Sequence, residues 1–289
     1  MKKNYITVCK HTNFLLTVKR DAFLNGFFYG ETKEAIMSRK SRKNREFKRR
    51  VRKFYNQGDT LSMQNYNHIA LSTSNVVVVP KTITQDKLVA DIQDTAKDIV
   101  LAIGPAGTGK TYLATKSAIK AFVSKEVGKI VITRPAVSVD EQHGFLPGNL
   151  VEKMAPWTRP IFDVFEEHFN LKEIEYMLEM GKIEVAPLAY MRGRTFKNTF
   201  IIADEMQNAT PSQFKMLMTR IGQDSKMIVT GDLDQHDRGF EQNGLKDFCQ
   251  RLRGSQSSKI SLVEFDARDI KRHPVIEDVL NLYHTRVVE

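Results

Sequence analysis

The chain is poor in the residues that bring disulfide or structural metal chemistry: of its 289 residues, two are cysteine and seven are histidine. Cys9 and Cys249 lie far apart, and neither has a partner at metal-ligand or redox spacing. A reducing compartment suffices, and both thiols are expected to be inert. The histidines form no HxxxH, HExxH or mixed Cys/His cluster, which leaves a structural metal without support. Long apolar runs are missing too. The longest candidates, residues 76–79 and 99–103, fall far below the roughly 18 residues of a membrane span. Near the start, Lys10, His11, Asn13, Lys19 and Arg20 break up any apolar segment, so no secretory signal is expected and the expected location is cytoplasmic. Internal repeats and low-complexity tracts are absent as well.

What is present is ordinary globular usage, 41% hydrophobic and 27% charged, with an uneven charge distribution. From 38 to 53 the chain reads SRKSRKNREFKRRVRK, in which Arg39, Lys40, Arg42, Lys43, Arg45, Lys48, Arg49, Arg50, Arg52 and Lys53 face one acid, Glu46. This run carries nine of the ten net positive charges. It repels itself and gains by releasing counterions along phosphates, so single- or double-stranded nucleic acid is the natural partner, with RNA or single-stranded DNA the expected one. A solvated basic linker, or a partner that is acidic protein or anionic lipid, would use the same charges. Phe47, Val51, Phe54 and Tyr55 would add a modest apolar stripe if the run is helical.

Residues 1–75 lack a strand–helix rhythm and read as a basic extension with a linker, and 76–289 as the folded domain. In that second part, β-branched runs at 76–79, 99–103, 129–133, 183–187, 199–203, 226–230 and 260–264 alternate with helical patterns. The helices are expected at 84–97, 110–124, 150–169, 211–221, 244–252 and 274–283. This alternation predicts an α/β fold with a mostly parallel sheet covered by helices on both faces.

Gly104, Pro105, Ala106, Gly107, Thr108, Gly109, Lys110 and Thr111 satisfy G-x-x-x-x-G-K-[ST] between an apolar strand and a helical pattern. Glycines let the backbone curl so that its N–H groups face phosphate oxygens at a helix N-terminus. Lys110 is expected on the β- and γ-phosphates and Thr111 on Mg2+. Tyr112, directly after, joins the nucleotide-contacting positions. A second apolar strand runs into Asp204 and Glu205, the Walker B arrangement: Asp204 for Mg2+, Glu205 as the base that polarises the attacking water. A third strand ends in Gly231-Asp232-Leu233-Asp234-Gln235, where Gln235 would bond the γ-phosphate or the water. Gln85, upstream of the loop, offers an amide that suits an adenine edge, or is simply a surface residue at a helix start. The expected ligands are thus ATP and Mg2+.

Together these segments resemble the PhoH family of P-loop ATPases, relatives of superfamily 1 helicases. The resemblance runs from about 78 to 286. It is carried by GPAGTGKTYLA at 104–114, TRPA at 133–136, GFLPGNL at 144–150, IEVAPLAYMRGRT at 183–195, ADEMQNATPSQFKMLMTRIG at 203–222, SKMIVTGDLDQ at 225–235 and RHP at 272–274. It implies a RecA-like P-loop core that hydrolyses ATP, with a looser link to RNA metabolism. The matching positions are Lys110, Thr111, Asp204, Glu205 and Gln235. The basic stretch before residue 70 is outside the family core, and neither a PIN nuclease nor a KH domain fits there. Compact versions of this kind resemble those of large tailed phages, so the cytoplasm in question is that of a bacterial cell or a phage-infected host.

Superfamily 1 helicases close ATP between two RecA-like domains, the second supplying arginines. Residues 236–289 are too few for such a domain. The resemblance therefore implies an arginine from this core or from a neighbouring subunit; the neighbour is favoured, hence a homo-oligomer is expected, with Arg134, Arg192, Arg194, Arg268 and Arg272 as candidates. Arg192 and Arg194 would equally serve nucleic acid or structural ion pairs. Three functional classes follow: an ATPase coupled to RNA or DNA, a phosphotransferase, and a nucleotide-dependent binding module with slow hydrolysis. Glu205 beside Asp204 disfavours phosphotransfer, and the basic run favours the first class over the third.

Overall fold

Short runs of Val, Ile and neighbouring apolar residues are stable as strands when both faces of their sheet are covered, and six of these runs pair here. The structure, a computed structural model, describes residues 75–135, 150–235, 243–255, 257–271 and 275. The strands are β1 (Ile99–Ile103), β2 (Lys129–Thr133), β3 (Ile183–Val185), β4 (Thr199–Ala203), β5 (Lys226–Gly231) and β6 (Ile260–Glu264). They form one sheet in the order β3-β2-β4-β5-β1-β6, with every pair parallel. Parallel pairing gathers all strand C-termini at one end of the sheet, which is where such sheets carry ligands.

The helices are α1 (Ile83–Gln93), α2 (Lys110–Val123), α3 (Leu150–Glu166), α4 (Leu171–Glu179), α5 (Pro211–Met218) and α6 (Gly244–Arg253). Strand side chains alternate between faces. Leu101, Ile103, Val131, Ile201, Ala203 and Val229 pack with Phe214, Leu217, Leu245 and Cys249 of α5 and α6. Their buried neighbours Val100, Ile130, Ile132, Ile202 and Ile228 face the opposite layer, where α1 to α4 follow one another in contact. The expected α/β architecture with helices on both faces is therefore found, and the sheet is parallel throughout. Burial pushes the Cys249 thiol up to about 11, which keeps it protonated and unreactive.

Two local readings need correction. Residues 75–80 form no strand: Val77 and Val79 are 55% and 62% exposed, and no strand among the described residues offers them a ladder. Valine favours extended backbone, but a strand exists only where the backbone groups pair. A further helix, beyond those expected, spans Leu171–Glu179, and Asn170 and Glu173 close a reciprocal capping box at its start. The basic run, residues 144–149 and the expected helix at 274–283 lie outside the described residues, apart from Val275.

Beside β3, Arg194 grips Glu184 with two hydrogen bonds of 2.5 and 2.9 Å, and Lys129 of β2 completes the cluster. The Arg194 bond, then Lys129, holds the Glu184 carboxyl down at about 2 from an ordinary 4.5, against the opposing effect of burial. A depressed carboxylate stabilises the fold at pH values above its unfolded pKa, and that contribution disappears as pH falls through the folded one. Glu184→Gln should therefore cost about 1–2 kcal/mol at neutral pH, allowing for the partial exposure of both partners. In urea titrations the difference from wild type should shrink between pH 4.5 and 2.

Candidate active site

At the end of β1 the chain turns sharply at Gly104, whose φ of +136° is closed to residues with a Cβ. A Cβ there would also stand 2.4 Å from the carbonyl oxygen of Phe265, which follows β6. The Gly104 N–H donates to Gly231 O at 3.1 Å, tying the loop to the end of β5. The loop ends at Gly109, the N-cap of α2 in left-handed conformation with φ +82°, so the unpaired N–H groups of the first helical turn face the space it encloses.

Two elements brace this loop from outside. Gln85, 4% exposed, donates from Nε2 to Thr108 O at 3.0 Å and accepts from the Lys81 N–H at 2.7 Å. Lys271, beyond β6, donates its backbone N–H to Gly107 O at 3.1 Å. An amide has two donor hydrogens and two acceptor lone pairs, so Gln85 keeps one of each for another partner. Tyr112 is 39% exposed and its hydroxyl bonds Glu167 and Lys116 at 3.2 and 2.9 Å.

Inside the loop the Lys110 ammonium donates to Gly104 O at 2.6 Å and Pro105 O at 2.7 Å, and contacts Thr108 Oγ1 at 3.3 Å. Burial pulls its pKa below the ordinary lysine value, while the charges of Asp232, Glu205 and Asp204 pull the other way. Three acids thus converge on one cation. Asp204, 5% exposed, accepts at Oδ1 from Thr111 Oγ1 at 2.8 Å and from Thr230 Oγ1 at 2.5 Å. Its Oδ2 lies 3.7 Å from Arg134, at the end of β2.

Thr111 and Asp204 thus present a hydroxyl and a carboxylate side by side, an all-oxygen pair that suits Mg2+ when phosphate and water complete its shell. No group of three or more His, Cys, Asp or Glu at metal-binding distance occurs among the described residues. Glu205 follows in left-handed backbone, φ +53°, and its carboxylate accepts from Gln207 Nε2 at 2.5 Å. The Gln207 Oε1 in turn accepts the Asp232 N–H at 3.1 Å.

The structure thus brings Lys110, Thr111, Asp204 and Glu205 together, with Gln85 against the loop. Gln235 is exposed, its backbone N–H on Asp232 O at 3.3 Å. Of the arginine candidates, Arg134 reaches the site. Arg194 is held by Glu184 and stacks on Phe196 with its guanidinium carbon 4.5 Å from the ring centroid, which makes it structural. Arg192 is exposed, Arg268 bonds Asp266, and Arg272 lies outside the described residues. Thr230 and Gln207 were not picked out from sequence. Thr230 sat in plain view beside Gly231, and Gln207 two residues after Glu205, but what each contacts is set by pairing across strands.

No helix among the described residues is long and apolar enough to cross a membrane. A family profile described as PhoH-like protein matches residues 77–284. The PhoH-like protein of Bacillus subtilis (strain 168) is 45% identical over 205 residues, covering 70% of this chain and 63% of that protein. The PhoH-like protein of Synechocystis is 42% identical over 216 residues, 74% of this chain and 65% of the relative. Protein PhoH of Escherichia coli (strain K12) is 41% identical over 192 residues, 65% and 53% respectively. The chain thus spans less than two thirds of the length of each of these curated relatives. Among solved structures, the Sulfolobus solfataricus SWI2/SNF2 ATPase core in complex with dsDNA aligns over 54% of this chain and 33% of that one, with 15% identity and a TM-score of 0.35.

Gly104→Ala tests the loop directly, because the new methyl meets a backbone carbonyl rather than a side chain that can move aside. It should lower stability by roughly 2–4 kcal/mol and abolish nucleotide binding. Urea unfolding and titration with a fluorescent ATP analogue would read the two effects, and unchanged values in both would refute the geometry.

Proposed function

Because the chain belongs to the PhoH-like family, we propose that it binds ATP in the Gly104–Thr111 loop and hydrolyses it with Mg2+ as cofactor. The observation that carries this reading is the 2.8 Å contact between Thr111 and Asp204, which puts a P-loop hydroxyl and a strand-end carboxylate at one point with Glu205 next in sequence.

In this reading the loop N–H groups and Lys110 hold the β- and γ-phosphates, Lys110 exchanging its bonds to Gly104 and Pro105 for phosphate oxygens. Thr111 and Asp204 would hold Mg2+, which when bound neutralises phosphate charge. Glu205 takes a proton from water as the water oxygen bonds the γ-phosphorus and the bond to the β–γ bridging oxygen breaks. Gln235 would report the γ-phosphate, Gln85 would read the adenine edge, and Tyr112 would be among the nucleotide-contacting residues. Arg134 would add positive charge from within the chain. An arginine from a neighbouring copy would make the working unit a homo-oligomer, which specific activity rising with protein concentration would support.

The basic residues from Arg39 to Lys53 are proposed to contact RNA or single-stranded DNA, a role supported by their share of the net charge. The location proposed is the cytoplasm, with 1–75 as an extension to the 76–289 ATPase domain.

The test is an ATPase assay with and without Mg2+ and single-stranded RNA or DNA at low salt. Glu205→Gln should still bind ATP while its turnover falls by about 10²–10⁴-fold. Deleting residues 38–54 should remove nucleic-acid stimulation and leave the basal rate. Wild-type turnover in Glu205→Gln would remove Glu205 from its role, and no stimulation at low salt would point to a slow nucleotide-dependent binding module.

A further inference from the structure

Resting on the reading of Glu205 as the base, we propose that Gln207 is a positioning residue that fixes the Glu205 carboxylate and ties it to the turn after β5. Gln207 is 1% exposed and sits in the short turn Met206–Asn208 that follows Glu205. Its amide nitrogen donates to Glu205 Oε2 at 2.5 Å, and its amide oxygen accepts from the Asp232 N–H at 3.1 Å.

The chemistry of the two partners dictates this orientation. A backbone N–H only donates and a carboxylate only accepts, so the amide cannot be turned over without facing donor to donor and oxygen to oxygen. A hydrogen bond to a charged acceptor is also the stronger kind, and in a buried setting it restricts the carboxylate to few orientations. Glu205 needs such restraint. Its left-handed backbone is an unfavourable conformation for a residue with a Cβ, held only where the surroundings determine it.

The packing around the amide is matched to it. A Cβ at position 231 would lie 2.9 Å from Gln207 Oε1 and 2.4 Å from Leu245 Cδ2, so the glycine at the end of β5 leaves the room that the amide occupies. The other end of the link is the turn leading to Gln235. Asp232 accepts the Asp234 N–H at 3.1 Å through its side chain and the Gln235 N–H at 3.3 Å through its carbonyl. A shift of this turn displaces the Asp232 N–H, and through Gln207 it displaces the base. The state of the γ-phosphate site is thereby coupled to the competence of Glu205.

Four variants of the full chain test this: Gln207→Leu, Gln207→Glu, Glu205→Gln and the Gln207→Leu/Glu205→Gln double variant. Gln207→Glu keeps an acceptor for the Asp232 N–H but sets a carboxylate against Glu205, so it separates the two ends of the link without emptying the site. For each, kcat and KM for ATP are measured beside the dissociation constant of a fluorescent ATP analogue and a thermal unfolding midpoint. Gln207→Leu and Gln207→Glu should each lower kcat by about 10- to 100-fold while analogue affinity stays within about twofold. In the Glu205→Gln background, Gln207→Leu should change the residual rate by less than about twofold, the non-additivity of residues that act as a unit. Equal losses in both backgrounds would overturn the proposal, since Gln207 would then act through the fold. A near-wild-type kcat in Gln207→Glu with Glu205→Gln inactive overturns the positioning role alone, whereas full turnover in Glu205→Gln overturns the base assignment and this proposal with it.

Discussion

The hydrogen bond from Thr111 to Asp204 is the contact on which the site's geometry depends, and it closes over an intervening strand. β5 lies between β1 and β4, so the strands that deliver these residues are two spacings apart, about 10 Å in a regular sheet. The loop after β1 and the first turn of α2 cover that separation. Thr230 of β5, lying beneath, donates to the same carboxylate oxygen. Register makes this possible: Ile103 pairs with Gly231, Val229 with Ala203, and Ala203 with Thr133, so four strands end at nearly one level. One slip of register would turn every side chain to the other face.

Asp204, Glu205 and Asp232 concentrate negative charge, and their surroundings separate their parts. Asp204 is buried and accepts from two hydroxyls, a setting that fixes the carboxylate for the ligand role proposed for it. Glu205 is half-buried and bonded by the Gln207 amide rather than by hydroxyls. Asp232 is buried next to Lys110 and offsets the desolvation of that ammonium. Two adjacent carboxylates in sequence thus meet unlike surroundings through the strand and turn that each one contacts.

What the sequence disclosed was local in origin. The P-loop glycines, the apolar strands and the carboxylate pair are short patterns whose physics is set by near neighbours, and five of the seven expected strands came within a residue of their observed ends. The strand at 183–187 ended two residues early, and the one at 76–79 was wrong because strand formation needs a partner that an apolar run does not reveal. Arg194 could not be separated from the catalytic candidates until Glu184, ten residues away, was brought against it. Thr230 and Gln207 were hidden for the same reason, since their partners lie 26 and 25 residues distant in sequence.

The left-handed turn at Glu205 explains how one short segment holds the two carboxylates proposed as metal ligand and base in different settings. Continuing β4 in extended form would send residues 204, 205 and 206 to alternating faces and carry Gln207 away from β5. A single residue with positive φ instead folds the chain back into the turn Met206–Asn208. This brings the Gln207 amide within reach of both its own neighbour, Glu205, and the next strand. The conformational cost at Glu205 is therefore offset by two hydrogen bonds that no extended segment could make, and it is borne at the residue whose orientation the proposed chemistry depends on most.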